Sequence, residues 1–115
     1  MDAQKQAAIA AIDTAAQNIC AVSDAIWEVP ELGFREHESA RLQCELLQQL
    51  GFAVERQVGN IPTAFAGRFG SGKPIVGILG EFDALPGLSQ KAGSEVHDPV
   101  ISGAPGHGCG HNLLG

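Results

Sequence analysis

An apolar run at residues 74–80, Pro-Ile-Val-Gly-Ile-Leu-Gly, constrains the fold more than any other part of the chain. Every position in it is apolar or glycine, so both faces of an extended segment would need cover. Central strands of α/β sheets, which helices cover on both sides, show this pattern. The run therefore predicts a buried central strand and an α/β fold.

Two helices are predicted before this strand. Over residues 3–27, apolar side chains recur at steps of three or four residues, and Pro30 favours an end just before it. The expected buried stripe of this first helix is Ile12, Ala16, Ile19, Val22 (or Ser23) and Ile26.

The second helix is predicted over residues 36–50. Glu36 and Glu38 stand in its first turn, where the helix dipole favours negative charge. Gly51 stands where a left-handed C-terminal cap is expected. The leucines of this segment recur every four residues and predict its buried face, Leu42, Leu46 and Leu50.

A β-hairpin is predicted between the helices and the central strand. Residues 52–58 and 63–69 resemble short strands, and the glycines of residues 70–73 favour a turn. Asp83 follows the central strand at its carboxyl end, where open α/β sheets place their ligands.

Composition excludes several functional classes. A formal charge of −6 without a basic run argues against nucleic-acid binding. The longest apolar run is too short to span a membrane, and the N-terminus shows no secretory signal. Three widely spaced cysteines do not suggest a disulfide framework, so a cytoplasmic location is expected.

Residues 1–115 have the length of one modest domain or of part of a larger one. Most of the 15 glycines lie after residue 66, in a half of the chain with little sign of helix. A loop-rich C-terminal half is one explanation. We prefer the other, that residues 1–115 are an incomplete N-terminal portion of a catalytic domain that further elements complete.

Cys109-Gly110-His111 is the first candidate metal site. In extended backbone, side chains two residues apart point to the same face, so a thiolate and an imidazole could reach one zinc ion. Gly108 and Gly110 let the backbone come close to an ion. His107 is a possible further ligand or a group that orients the cysteine. The alternative is a small buried cysteine in a loop that carries histidines by chance.

Glu81 and Asp83 are the second feature. They leave the end of the predicted central strand two residues apart, so they are expected to point the same way. A carboxylate there could ligate a metal ion or orient a histidine that does. An ordinary strand-end cap is the alternative for this pair.

Four segments, at residues 27–36, 59–65, 80–89 and 106–115, together resemble one family. The last contains His-Gly-Cys-Gly-His-Asn-Leu-Leu-Gly. The set is similar to the amino-terminal part of the amidohydrolase and metallopeptidase family that includes aminoacylases, hippurate hydrolase and carboxypeptidase G. The resemblance covers nearly the whole chain but only about the first quarter of a usual member.

The resemblance implies a role for each matching residue. Cys109 and His111 match the first two metal ligands in the branch of the family that uses cysteine, and Asp83 matches the aspartate after the first catalytic strand. Many members carry a histidine ligand where this chain has Glu81. The remaining ligands and the general-base glutamate of the family have no counterpart in these residues.

The implied reaction is hydrolysis of an amide in an N-acyl amino acid or an aminobenzoyl-glutamate-like substrate. The implied cofactor is a divalent metal ion, zinc or manganese, which polarises the amide carbonyl and activates water. The whole enzyme is expected to be a homo- or hetero-oligomer. The 115-residue chain alone is expected to be inactive, because it lacks the base and the other ligands.

Two other functional classes stay open at this point. One is a non-catalytic binding or scaffold module that associates with a partner subunit. The other is a small structural zinc domain, which would need two further ligands from His97, Asp98, His107, Glu81 and Asp83.

Overall fold

Two helices stand first in the computed structural model, which describes residues 2–115. Helix α1 spans Ala3–Glu28 and helix α2 spans His37–Gln49. The Asp2 carboxylate caps α1 by accepting hydrogen bonds from the backbone N–H groups of Gln4 and Lys5, at 2.7 and 3.2 Å. Both helices lie within about one residue of their predicted bounds.

The N-terminus of α2 is capped from a distance in sequence. The Glu31 carboxylate accepts hydrogen bonds from the backbone N–H groups of Glu38 and Ser39, at 3.0 and 2.8 Å. It also accepts one from the Ser39 hydroxyl at 2.8 Å. These bonds satisfy N–H groups that the helix itself leaves unpaired. After α2, Gly51 adopts the left-handed conformation, with φ +88°, as predicted.

The β-hairpin consists of strand β1, Ala53–Arg56, and strand β2, Phe65–Arg68. The strands are antiparallel, with Ala53 opposite Arg68 and Arg56 opposite Phe65. A short 3₁₀ turn at Val58–Asn60 lies between them. The order of two helices followed by a β-hairpin confirms the α/β class.

The central strand predicted at residues 74–80 is not present. These residues have no regular secondary structure, and the side chains of Ile78 and Leu79 are 97 and 98% exposed. A strand exists only where a neighbour completes its backbone hydrogen bonds. Within residues 2–115 no segment pairs with this run, so its apolar sequence is left uncovered.

The buried core is small and lies between the C-terminal half of α1, helix α2 and the loops after the hairpin. Its apolar members are Ile26, Ala40, Cys44 and Ala84. Two isolated bridges connect the loops, one between Leu32 and Ala84 and one between Leu85 and Gly106. These contacts bring residues 81–85 and 106–113 beside each other.

The predicted buried faces of the helices are only partly correct. Ile12 and Ile19 in α1 are exposed, and so is Leu50 beyond α2, whereas Leu42 and Leu46 are half-buried. The buried positions of α2 are Ser39, Ala40, Gln43 and Cys44. With 13 residues, α2 is half as long as α1, which has 26, and can cover only part of it. Neither helix in the described part of the chain has the length and apolarity needed to cross a membrane.

Candidate metal centre

The segment that carries Cys109 and His111 is a tight turn. The Gly110 N–H donates to the His107 carbonyl at 3.0 Å, and Gly110 has a φ of +76°. A 3₁₀ turn, His111–Leu113, follows directly. The expectation of extended backbone here is therefore wrong, because a left-handed glycine reverses the chain between the two side chains.

Gly106 shows why this turn needs glycine. Its backbone exchanges two hydrogen bonds with Leu85, each 3.0 Å long. A Cβ at this position would collide with the carbonyl oxygen of Leu88. Only glycine allows the two segments to come this close, so Gly106 holds the turn against the loop that carries Glu81 and Asp83.

His111 is the centre of the polar contacts in this region. Its Nδ1 lies 2.8 Å from a carboxylate oxygen of Asp83 and 3.1 Å from the Asp83 carbonyl oxygen. Its Nε2 lies 3.3 Å from a carboxylate oxygen of Glu81. The structure thus brings the carboxylates of Glu81 and Asp83 to the two nitrogens of one imidazole.

The two carboxylates determine the proton affinity of the imidazole. The hydrogen bond with Asp83 and, second to it, the charge of Glu81 raise the pKa of His111 above its ordinary value. Both Asp83 acceptors face Nδ1, so they favour the neutral tautomer that carries its proton on Nδ1. In that tautomer the lone pair is on Nε2, on the side of the Glu81 carboxylate.

Cys109 lies in the same turn, and its side chain is exposed and not in a disulfide. No group of three or more His, Cys, Asp or Glu side chains within residues 2–115 is arranged to hold a metal ion. Cys109 and His111, the two predicted ligands, are close in sequence. Of the two, only His111 has carboxylates around it in the described residues.

The donor chemistry of this region fits a divalent metal ion. A thiol, an imidazole and two carboxylates are the side-chain types that bind zinc. A histidine that ligates metal through one nitrogen commonly donates its other N–H to a carboxylate or a backbone carbonyl. His111 has both kinds of acceptor at Nδ1.

His107 occupies a different environment. Its ring is only 4% exposed, packs at 6.4 Å from the Trp27 ring, and has no hydrogen-bond partner at either nitrogen within residues 2–115. Burial lowers the pKa of His107, so the neutral ring is favoured. Its side chain packs against α1 and takes no part in the contacts of His111.

Asn112 anchors the turn to α1, which the sequence patterns did not predict. Its side-chain amide donates to the hydroxyl of Ser23 at 3.1 Å and to the Ser23 carbonyl at 3.4 Å. The one available signal was Ser23 itself, a polar residue within the apolar stripe of α1. Its 89-residue separation from Asn112 gave no indication of the partner.

An open cavity of about 300 Å³ lies on the loop that carries the two carboxylates in contact with His111. Glu81 and Asp83 line it together with Phe34, Phe82 and the buried Glu36, whose carboxylate accepts a hydrogen bond from the Thr63 hydroxyl at 2.8 Å. Apolar rings and carboxylates thus line one open space. The cavity is large enough for part of a small organic molecule.

Comparison with known proteins finds related hydrolases and peptidases. The chain is 50% identical over 105 residues to one subunit of the p-aminobenzoyl-glutamate hydrolase of Escherichia coli strain K12, in an alignment that covers 91% of this chain. It is 32% identical to the human Xaa-Arg dipeptidase, over 90% of this chain. It is 36% identical to thermostable carboxypeptidase 1 of Saccharolobus solfataricus, over 76% of this chain.

The chain is a relative of these hydrolases. The resemblance inferred from the four motif segments is therefore confirmed. The chain spans only 22 to 23% of the length of these three proteins. No protein-family model matches it.

Proposed function

We propose that this chain carries the first part of the metal centre of a hydrolase that cleaves amide bonds. The contact between His111 Nδ1 and the Asp83 carboxylate, at 2.8 Å, is the observation that carries the proposal. It joins two residues of different motif segments, and it leaves His111 Nε2 as the nitrogen that can bind a metal ion.

Each residue has a distinct role in this proposal. The Cys109 thiolate and His111 Nε2 hold a zinc or manganese ion, and Asp83 keeps the His111 proton on Nδ1. The Glu81 carboxylate, which is 65% exposed, adds negative charge beside Nε2 and so favours a cation there. The metal ion supplies polarisation of the amide carbonyl and activation of water.

The proposed substrates are N-acyl amino acids or aminobenzoyl-glutamate-like amides. The names of the related hydrolase, dipeptidase and carboxypeptidase support an amide or peptide bond. The cavity lined by Phe34 and Phe82 next to Asp83 offers apolar surface to part of such a molecule. This substrate class is small, so nucleic acid and membrane are not proposed as partners.

The proposed assembly and location follow from separate observations. The related hydrolase of Escherichia coli is named as one subunit of an enzyme, which supports a homo- or hetero-oligomeric whole protein. The three cysteines are free, which supports a reducing compartment such as the cytoplasm.

Cobalt(II) substitution tests the two metal ligands. Thiolate ligation of cobalt gives a charge-transfer absorption band in the near ultraviolet, and zinc sites accept cobalt. We expect this band in the 115-residue chain and its loss in Cys109→Ala. The matched control is Cys20→Ala, which removes another exposed cysteine, in α1, and should keep the band. A band that survives in Cys109→Ala and disappears in Cys20→Ala would refute the proposal.

We also propose that the 115-residue chain binds the metal weakly and does not turn over substrate alone. Residues 2–115 offer no group of three potential ligands, whereas catalytic zinc sites use three protein ligands. The measurement is hydrolysis of aminobenzoyl-glutamate with added zinc or manganese. Metal-dependent turnover that is lost in Cys109→Ala would contradict the expected inactivity.

A further inference from the structure

The turn that carries the two predicted metal ligands is rich in glycine. Gly108 precedes Cys109, and Gly110 separates Cys109 from His111. Glycine restricts the backbone least of all residues, and Gly110 has a left-handed φ of +76°. These glycines do not by themselves fix the direction of the side chains beside them. The orientation of the two ligands therefore depends on the contacts at the two ends of the turn.

The start of the turn is held by backbone and ring contacts. Gly106 exchanges two backbone hydrogen bonds with Leu85, each 3.0 Å long. The buried ring of His107 packs against the ring of Trp27. Both contacts precede the ligands in the chain, so they hold the beginning of the turn and leave the direction of its end to other residues.

The end of the turn is held by Asn112, the residue directly after His111. The Asn112 side-chain amide donates to the Ser23 hydroxyl at 3.1 Å and to the Ser23 carbonyl at 3.4 Å. Asn112 is 9% exposed and Ser23 is 8% exposed, so water competes little for these bonds. Ser23 lies in α1, a helix of 26 residues. The short 3₁₀ turn that contains His111 is thus tied to a long helix.

The chemistry of this pair explains why an amide is used. Both atoms of Ser23 that face the Asn112 nitrogen can accept a hydrogen bond, and an amide has two N–H groups to donate. The other amide atom, Asn112 Oδ1, is buried without a partner within residues 2–115. An acceptor buried in this way lowers stability, and an apolar side chain of similar size would avoid that loss. Stability alone therefore does not account for the asparagine, whereas a directional role does.

We propose that Asn112 and Ser23 are a pair of positioning residues that orient the turn so that the Cys109 thiolate and His111 Nε2 face the same metal ion. This inference rests on the proposed function, because it takes those two residues as the ligands. Asp83 fixes the rotation of the His111 ring, and the Asn112–Ser23 contact fixes the backbone from which that ring leaves. The two contacts act on different bonds, so ligand orientation needs both.

A matched pair of serine substitutions tests the proposal in the 115-residue chain. Ser23→Ala removes the hydroxyl that Asn112 binds. Ser39→Ala removes another buried hydroxyl, which donates to the Glu31 carboxylate at 2.8 Å and lies outside the turn. Both changes should lower the free energy of unfolding, but only Ser23→Ala should weaken cobalt(II) binding, by about threefold to tenfold. The measurements are chemical denaturation without metal and titration of the thiolate–cobalt absorption band.

The double variant Ser23→Ala/Asn112→Leu separates positioning from stability. It replaces both partners by apolar side chains, so no polar group of the pair is left unpaired and the free energy of unfolding should stay close to that of the unmodified chain. Cobalt affinity should nevertheless fall about tenfold, because the directional contact is gone. If this variant does not fold, as circular dichroism would show, the Ser23→Ala and Ser39→Ala comparison still decides.

A second measurement needs no metal. Nitrogen-15 NMR of the His111 imidazole, at a pH where the ring is neutral, reports which ring nitrogen carries the proton. The unmodified chain and Ser39→Ala should carry it on Nδ1, which lies 2.8 Å from the Asp83 carboxylate. Ser23→Ala and the double variant should show a mixture of both tautomers, because the displaced ring no longer meets Asp83 in one orientation.

The outcomes distinguish this proposal from the proposed function. An unmodified chain without a Cys109-dependent cobalt band refutes the metal centre, and the NMR measurement then decides on the positioning pair alone. Three results would overturn the positioning role. They are cobalt affinity unchanged in both Ser23 variants, cobalt affinity that falls equally in Ser39→Ala, and a His111 tautomer that none of the variants alters.

Discussion

Asp83→Asn tests the contact on which the candidate metal centre depends. Asparagine keeps the size of the side chain and can still accept a hydrogen bond from His111 Nδ1, but it removes the negative charge. The contact is 2.8 Å long, and the side chains of His111 and Asp83 are 13 and 31% exposed, so water screens it only in part. Glu81 is farther from the ring, at 3.3 Å, and 65% exposed.

These differences give the expected magnitudes. A hydrogen bond to a charged group contributes about 1.5–3 kcal/mol and a neutral one about 0.5–1.5 kcal/mol. Asp83→Asn should therefore make the free energy of metal binding less favourable by about 1.4 kcal/mol. That corresponds to about a tenfold loss of metal affinity. The charge of the exposed Glu81 contributes at most about 1 kcal/mol, so Glu81→Gln should lower the metal affinity less than about fivefold.

NMR titration of His111 is the direct assay. Asp83→Asn should lower the pKa of His111, because the partner that raises it has lost its charge. Glu81→Gln should lower the pKa of His111 less. Asp98→Asn is a matched control, since Asp98 pairs with Lys91 and has no contact with His111. An unchanged His111 pKa in Asp83→Asn would refute the proposed orientation of the ring.

The same contact has a consequence for stability. A pKa of His111 raised above its ordinary 6.5 means that the folded chain binds its proton more tightly than the unfolded chain. The stabilisation is present below pH 6.5 and is lost as pH rises through the folded-state pKa of His111. The difference in free energy of unfolding between the unmodified chain and Asp83→Asn should therefore shrink on raising the pH.

Two further predictions concern the core. Ile26→Ala should lower the free energy of unfolding by about 2–5 kcal/mol, because Ile26 is 1% exposed. Ile12 is 63% exposed, so Ile12→Ala should change the free energy of unfolding by less than about 1 kcal/mol. Chemical denaturation measures both. Cys109 should react readily with a thiol reagent in the folded chain, and Cys44 only after unfolding, because burial covers it and raises the pKa of its thiol. Equal reaction rates of the two cysteines, followed by mass spectrometry, would contradict the described core.

Features that depend on near neighbours in the chain could be predicted from the sequence. The bounds of α1 and α2, the left-handed Gly51 and the two strands of the hairpin all follow from side-chain periodicity, proline and glycine within a few residues. The motif segments predicted the resemblance to longer hydrolases that the comparisons confirm.

Features that depend on what packs against a segment could not be predicted in this way. The apolar stripe of α1 has one period throughout, yet Ile26 is buried and Ile12 is exposed, because the shorter α2 covers only part of it. The run at residues 74–80 has the composition of a central strand, but a strand forms only where a partner accepts its hydrogen bonds.

The candidate site shows the same division. Sequence alone identified Cys109, His111, Glu81 and Asp83 as residues of the right chemical types. Only the tertiary structure decided that His111 contacts Asp83 across 28 residues, that His107 packs against Trp27, and that Asn112 binds Ser23. The physical reason is that such contacts depend on how the loops at Leu85 and Gly106 meet in space, which spacing along the chain does not encode.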